Sequence, residues 1–407
     1  MSALSSVLVL LAMGSAEDAG FTNVPVEIEY RAARPHADPF GGVTLEVTFI
    51  DPEGTSRKVP AFWAGGDRWK VRYASPQAGI HRWRSICNDA SDEGLHGKAG
   101  TVELKPYAGE NPLYLHGPIR VAQDSRHMEQ ADGTPFFWLG DTWWMGLCNR
   151  LAWPDDFQRL AADRKAKGFN VVQIVAGLYP DMEPFDARGA NEAGFPWEAD
   201  YARIRPEYFD AADRRIAHLV EQGLSPCIVG AWGYFMPWMG EQNLEAHWRY
   251  LIARYGAYPV TWCAAGEANL PWYRAEKFPF DDQEQARRWC RVLGAIRRMD
   301  PWRRPLTIHP TAINAFTARH VIESVDPGLI DFDLLQTPHG ERDAGVAAAK
   351  TVLEAARRSR RCRSSTARPA TRCWATSCRP DGPAPCTGCA SSTARPGTLT
   401  GPTASGR

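Results

Sequence analysis

The run Val260–Asn269, "VTWCAAGEAN", sets a carboxylate, Glu267, directly behind an apolar β-prone segment and between small residues that leave it unobstructed. An acid so placed is suited to give or take a proton at a bound substrate, and chemistry of that kind needs a second group. Comparable endings recur along the chain. Apolar runs stop at Asp141-Thr142-Trp143-Trp144, at Gln173, at Trp232-Gly233-Tyr234, at Glu267-Ala268-Asn269, at His309 and at Gln336-Thr337-Pro338-His339. Amides, imidazoles and indoles are groups that bond hydroxyls and stack on ring faces. The pattern fits a carbohydrate. Glu267 is the expected catalytic residue, and Asp141, Trp143, Trp144, Gln173, Trp232, Asn269, His309, Gln336 and His339 are the expected substrate contacts.

Each of these has a purely structural alternative. Asp141 can cap a loop. Trp143 and Trp144 are adjacent, so one faces the core while the other is free to face a cleft. His309 and His339 can be satisfied loop histidines, and Gln173 needs a partner if it is buried. No His-x-x-x-His or His/Asp pair has metal-ligand spacing, so neither a metal nor another cofactor is expected.

The elements that must hold these groups read as alternating strands and helices. Strands are expected at residues 136–139, 169–176, 225–231, 260–265, 305–309 and 331–337, and helices at 154–167, 206–222, 244–255, 283–299 and 346–357. The strands are short and apolar on both faces, as a parallel sheet covered by helices requires. Repeated units of this length, with no glycine-rich phosphate loop after the first strand, favour a (β/α)8 TIM barrel, which carries its functional groups at the C-terminal strand ends. Six strands can be counted, so the last two are missing. Before them, residues 24–106 alternate apolar and polar positions between Asp-Pro-Glu-Gly and Gly-Gly-Asp turns, the signature of an antiparallel β-sandwich. Trp63, Trp69 and Trp83 there read as core or interdomain packing ahead of a sugar-stacking surface.

The ordered set "FFWLGDTWW", "RKAKGFNVVQIV", "VTWCAAGEANLPWY", "LTIHP" and "LLQTPHG", behind a β-sandwich, resembles the apiosidase-like glycoside hydrolases over roughly residues 24–345. That resemblance implies a glycosidase with two carboxyl groups, one after the fourth barrel strand, where Glu267 falls, and one after the seventh. It implies action on a sugar side chain of a plant or microbial polysaccharide. A non-catalytic carbohydrate-binding protein is the alternative.

The expected organisation is an N-terminal segment 1–23, the sandwich 24–106, a truncated barrel 112–356 and a disordered tail 357–407. From Ala355 onward there are ten arginines, one acid and no Ile, Val, Phe, Tyr, Met, Lys or Glu. Such a composition cannot bury a core. With permitted codons chosen, regrouping by one base can turn residues 363–377 into a reading that contains Val-Leu-Asn-Gly-Glu, and residues 391–405 into one with Gly-His-Thr-Tyr-Gly. These resemble the family's seventh and eighth strands, so a frameshift is expected, and the chain as written is expected to be inactive or impaired. The tail's Cys373, Cys378, Cys386 and Cys389 imitate zinc spacing without a surrounding knuckle.

Apart from the tail, the first 354 residues hold 37 bases against 46 acids, which argues against a nucleic-acid binder. Cys87, Cys148, Cys227, Cys263 and Cys290 are widely spaced and odd in number, as buried free thiols are. The apolar stretch within residues 1–20 is too brief to span a membrane. It lacks a preceding Lys or Arg and a good cleavage site, so a cytoplasmic location is favoured over export to the periplasm or beyond. No membrane partner is expected.

Overall fold

The computed structural model describes residues 9–11, 19–270, 281–311, 318–322, 326–336 and 374–376. Its N-terminal strands are β1 (Val9–Leu11), β2 (Gly20–Phe21), β3 (Val26–Arg31), β4 (Leu45–Ile50), β5 (Ser56–Pro60), β6 (Phe62–Trp63), β7 (Arg68–Tyr73), β8 (Gly79–Cys87) and β9 (Ala99–Lys105). They form two sheets, β1-β3-β7-β6 and β2-β9-β8-β4-β5. Pairing is antiparallel except at β1–β3 and β2–β9. Period-two alternation turns Val26, Ile28 and Tyr30 of β3, Leu45, Val47 and Phe49 of β4, and Trp69, Val71 and Tyr73 of β7 into the shared core. Phe49 stacks on Tyr73 at 3.9 Å between centroids, and Trp83 meets Tyr30 edge-on at 5.9 Å. Trp69 and Trp83 are therefore core residues, while Trp63 is half-buried and packs against both parts of the molecule.

A short helix, α1 (Pro112–Leu115), and a small antiparallel sheet, β10 (Ile119–Val121), β11 (Met128–Gln130) and β12 (Pro135–Phe136), lead to the second part. There β13 (Gly140–Trp143), β14 (Val171–Val175), β15 (Ser225–Val229), β16 (Thr261–Cys263) and β17 (Leu306–Thr307) run parallel in sequence order. Helices α2 (Asp155–Ala166), α3 (Pro206–Glu221), α4 (Phe235–Tyr255), α5 (Asp282–Met299) and α6 (Ala318–Ile322) alternate with them. Asp331 N and Oδ2 bond the carbonyl and N–H of Leu306, carrying the order on to β18 (Asp333–Leu335). This is the β/α succession of a TIM barrel. All side chains of β14 and β15 are buried, because helices cover one face and the barrel interior the other.

Two expectations change. The expected strand at 136–139 is split: Pro135–Phe136 closes the small antiparallel sheet, and the first barrel strand begins later, at Gly140. Within the tail expected to be disordered, β19 (Trp374–Thr376) pairs in parallel with β18. The free edge of β18 offers unpaired N–H and C=O groups that any extended segment can take up, whatever its side chains. The helix expected at 346–357 lies outside the described residues.

The two parts are locked together. Arg72 of β7 is buried and donates to Glu27 at 2.8 Å, to Asp213 of α3 at 2.5 Å and to the carbonyl of Arg254 at 2.8 Å. Arg254, also buried, donates to Asp213 at 2.9 Å and to Asp210, and both guanidiniums lie over the Phe62 ring. Burial alone would raise the Asp213 carboxyl, but Arg254 and Arg72 outweigh it and hold it at about 2.

Candidate active site

The loops that follow β15, β16 and β17 stay bonded to one another beyond the strands. Gly266 bridges to Trp232, Gly233 N donates to Gly266 O at 2.7 Å, His309 N to Ala265 O at 2.9 Å and Ala268 N to His309 O at 3.0 Å. Glu267 sits in this knit with φ +44°, in the left-handed region that a residue with a Cβ adopts only when its surroundings impose it. The surroundings are close. A Cβ on Gly266 would lie 2.3 Å from the Trp232 ring, and one on Gly233 would lie 2.3 Å from the Glu267 carbonyl, so only glycine fits either position.

Both carboxylate oxygens of Glu267 are engaged. Trp232 Nε1 donates to Oε2 at 3.1 Å, and Gln336 Nε2, just past β18, donates to Oε1 at 3.0 Å. Groups from the ends of the third, fourth and sixth barrel strands thus converge on one half-buried acid. Trp144 meets Trp232 edge-on at 5.2 Å and His309 at 5.6 Å, which brings the first and fifth strand ends to the same place. His309 is buried with its Nδ1 2.8 Å from the Pro310 carbonyl, so that nitrogen carries the proton. Asn269 is buried and its Oδ1 accepts from Thr311 N at 3.2 Å. Among the described residues two amide atoms here are buried without a nitrogen or oxygen partner: Gln173 Nε2, which lies beside the Cys263 thiol, and Gln336 Oε1. In a native fold such atoms call for an explanation, and a polar ligand supplies one.

Asp141 and Trp143 do not join this group. The first barrel strand starts at Gly140, so Asp141 lies within it and faces the helix layer. Its carboxylate is ion-paired with Arg164 of α2 and accepts from Trp143 Nε1 at 3.0 Å, while Trp143 packs edge-on against Phe157 of α2 at 5.4 Å. The opposite face of the strand carries Thr142, whose register partner is Gln173, followed by Cys227 and Thr261 on the next strands. His339 lies outside the described residues.

Sequence reasoning missed Gln285. It occupies the buried stripe of α5 with Trp289, Leu293 and Ile296, and its Nε2 donates to the carbonyl of Ala268 at 2.8 Å and lies 3.3 Å from that of Gly233. An amide at an apolar helical position was the available signal. His247 of α4 was also missed. Its ring accepts from Trp197 Nε1 at 3.2 Å and donates to the Gly230 carbonyl at 2.9 Å, and burial pushes its pKa down to about 4. Among the described residues no group of three or more His, Cys, Asp or Glu is placed to hold a metal ion, and no helix is long and apolar enough to cross a membrane. The five body cysteines are free and buried.

Residues 122–370 match the family profile described as the apiosidase-like catalytic domain, and residues 23–88 match a domain of unknown function (DUF5060). A Bacteroides vulgatus protein described provisionally as a glycoside hydrolase shares the fold, with a TM-score of 0.62 and 19% identity over 84% of this chain and 63% of its own. A glycoside hydrolase family 5 protein of the same organism gives a TM-score of 0.46 and 20% identity over 66% of this chain and 55% of its own. The chain thus spans less than two thirds of the length of either. No curated protein matches the sequence.

Proposed function

The chain belongs to the apiosidase-like family, and from that premise we propose that it derives from a glycosidase in which Glu267 protonates the departing glycosidic oxygen. What supports this reading most is the convergence on Glu267 of Trp232 and Gln336, with Trp144 and His309 beside them. Fixed donors on both oxygens set the direction of the carboxyl group before substrate arrives. The Trp144, Trp232 and His309 rings give a sugar a surface to stack on, and the unpartnered Gln173 and Gln336 amides take its hydroxyls. The substrate is a sugar side chain of a plant or microbial polysaccharide, apiose in the first instance.

The groups hydrogen-bonded to Glu267 among the described residues are not acids. The second carboxylate belongs to the seventh strand in the regrouped reading, where its codon spans those of Ala367 and Arg368. A separation of about 5–5.5 Å from Glu267 would give retention of configuration, and about 6.5–9.5 Å inversion. As written, the chain binds sugar and turns it over slowly or not at all.

The test compares aryl-glycoside hydrolysis by the written chain, by a version with the tail regrouped, and by each carrying Glu267→Ala. Activity in the regrouped version alone, lost with Glu267→Ala on aryl glycosides whose leaving groups are poor, supports the reading. Equal rates in the two parent versions would refute the missing partner. The second reading, a sugar-binding protein without turnover, draws on the same ring surface and the same unpartnered amides. It gains ground if polysaccharide is retained by every version and hydrolysed by none.

A further inference from the structure

Glu267 stands in a backbone conformation that persists only where the surrounding structure imposes it. The bonds between Gly233 and Gly266 and between Ala268 and His309 supply part of that constraint. Another part comes from α5. Gln285, buried near the start of that helix, aims its Nε2 at three carbonyl oxygens: Ala268 at 2.8 Å, Gly233 at 3.3 Å and Leu270 at 3.4 Å. Three acceptors around one side-chain atom require that atom to be the amide nitrogen, whose two N–H groups are shared among them. Two of these carbonyls belong to the residues directly after Trp232 and Glu267, the donor and acceptor of the 3.1 Å bond at the rim. The third belongs to Leu270, whose own N–H bonds the Glu267 carbonyl at 2.9 Å.

The helix that carries the amide is itself fixed. Asp281 caps it, accepting from Gln283 N and Glu284 N at 3.0 Å each. Arg291 holds Glu241 of α4 through two bonds of 2.7 and 2.8 Å, and Arg288 reaches the Met236 carbonyl at 3.3 Å. The buried stripe of α5 continues with Trp289, Leu293 and Ile296, and a Leu or Met at 285 would extend it with no partners to find. We propose that Gln285 is a positioning residue: it fixes the direction of the Glu267 carboxyl by clamping the two loops that carry Glu267 and Trp232 to α5. The inference rests on the reading of Glu267 as the acid, and Gln285 acts on the reaction only through it. Without the amide, three carbonyls converge with no donor between them, and the loops part to find other partners.

The experiment compares the parent with Gln285→Met, which keeps the volume and removes the donors, and with Gln285→Glu, which sets an acceptor among the carbonyls. Its first readout needs no turnover: the indole nitrogen–proton correlation spectrum of the full chain, with the Trp232 signal assigned by Trp232→Phe and its position without the carboxylate given by Glu267→Ala. In Gln285→Met the Trp232 signal should move towards that position, while the signal of Trp69, in the sandwich core, stays where it is. A Trp232 signal unmoved in both Gln285 variants would overturn the proposal. The second readout is kcat and KM of the tail-regrouped protein on aryl glycosides of graded leaving-group acidity. Gln285→Met should lose about 10- to 100-fold in kcat on poor leaving groups, the scale of an ångström's misplacement, and little on the most acidic ones, with KM unchanged. A change in KM alone, or one uniform loss across the series, would overturn it. Glu267→Gln runs alongside: if that variant shows no dependence on the leaving group, the acid reading fails, and the Trp232 signal still decides whether Gln285 holds the two loops. Should Gln285→Met melt below the assay temperature, Gln285→Glu decides on the same two readouts.

Discussion

The sandwich–barrel junction and the strand-end rim both bury polar groups, but they treat them in opposite ways. At the junction the charges are closed upon one another: Glu27, Arg72, Asp213 and Arg254 satisfy each other within one packed cluster around Phe62. At the rim, Glu267 is held in a strained backbone conformation, and two buried amide atoms, Gln173 Nε2 beside the Cys263 thiol and Gln336 Oε1, lack a nitrogen or oxygen partner among the described residues. A closed network fixes one arrangement of elements, whereas an open one is complete only with a ligand. The difference separates residues that hold the fold from those proposed to meet substrate.

Substitutions in the two regions should therefore diverge. The largest effect on stability is expected from Asp213→Ala, which leaves Arg72 and Arg254 buried without their shared anion; a loss of about 3–5 kcal/mol should appear in urea unfolding. A loss below about 1 kcal/mol would show the junction to be less closed than described. Next is His247, which lies between helix and sheet. Its folded pKa, about 4, is below the unfolded value near 6.5, so its contribution is whole above pH 6.5 and is lost as pH falls towards 4. Unfolding at pH 7 and pH 4.5 should show about 2 kcal/mol less acid sensitivity in His247→Gln than in the wild type.

At the rim, Gly266→Ala is expected to cost about 1–3 kcal/mol, since its methyl group enters the Trp232 ring. It should also weaken the Trp232–Glu267 bond, which a shift in indole fluorescence would report. The smallest change in stability is expected from Gln173→Met. Removing an unpartnered amide should leave melting unchanged or raise stability by up to about 1 kcal/mol, while sugar affinity falls. A clear loss of stability without loss of affinity would place Gln173 with the junction residues instead.

Much of the rim was legible because a β/α unit delivers each strand end to the same side of the barrel. Counting units was enough to bring Trp144, Trp232, Glu267, His309 and Gln336 together. Asp141 and Trp143 show where that reasoning stops. The strand was expected to end at residue 139 but runs Gly140–Trp143, so Asp141 lies within the pleat, on the face turned to the helices, instead of beyond the strand's end. Asp141 then belonged to Arg164, a partner one helix away that no local pattern announces. The junction was less legible still. Arg72, Asp213 and Arg254 come from separate elements far apart in sequence, and nothing in the neighbourhood of each names the others. The short β18–β19 pairing shows the reverse case, in which an open sheet edge recruits a segment whose own composition gives no strand signal.

The central claim is that Glu267 donates a proton to a leaving glycosidic oxygen. Its most direct test is the hydrolysis of aryl glycosides of graded leaving-group acidity by the tail-regrouped protein and its Glu267→Gln variant. If Glu267 is the acid, the variant should lose about 10²- to 10⁴-fold in kcat on poor leaving groups and little on the most acidic ones. A loss of the same size across the whole series, or no loss at all, would contradict it.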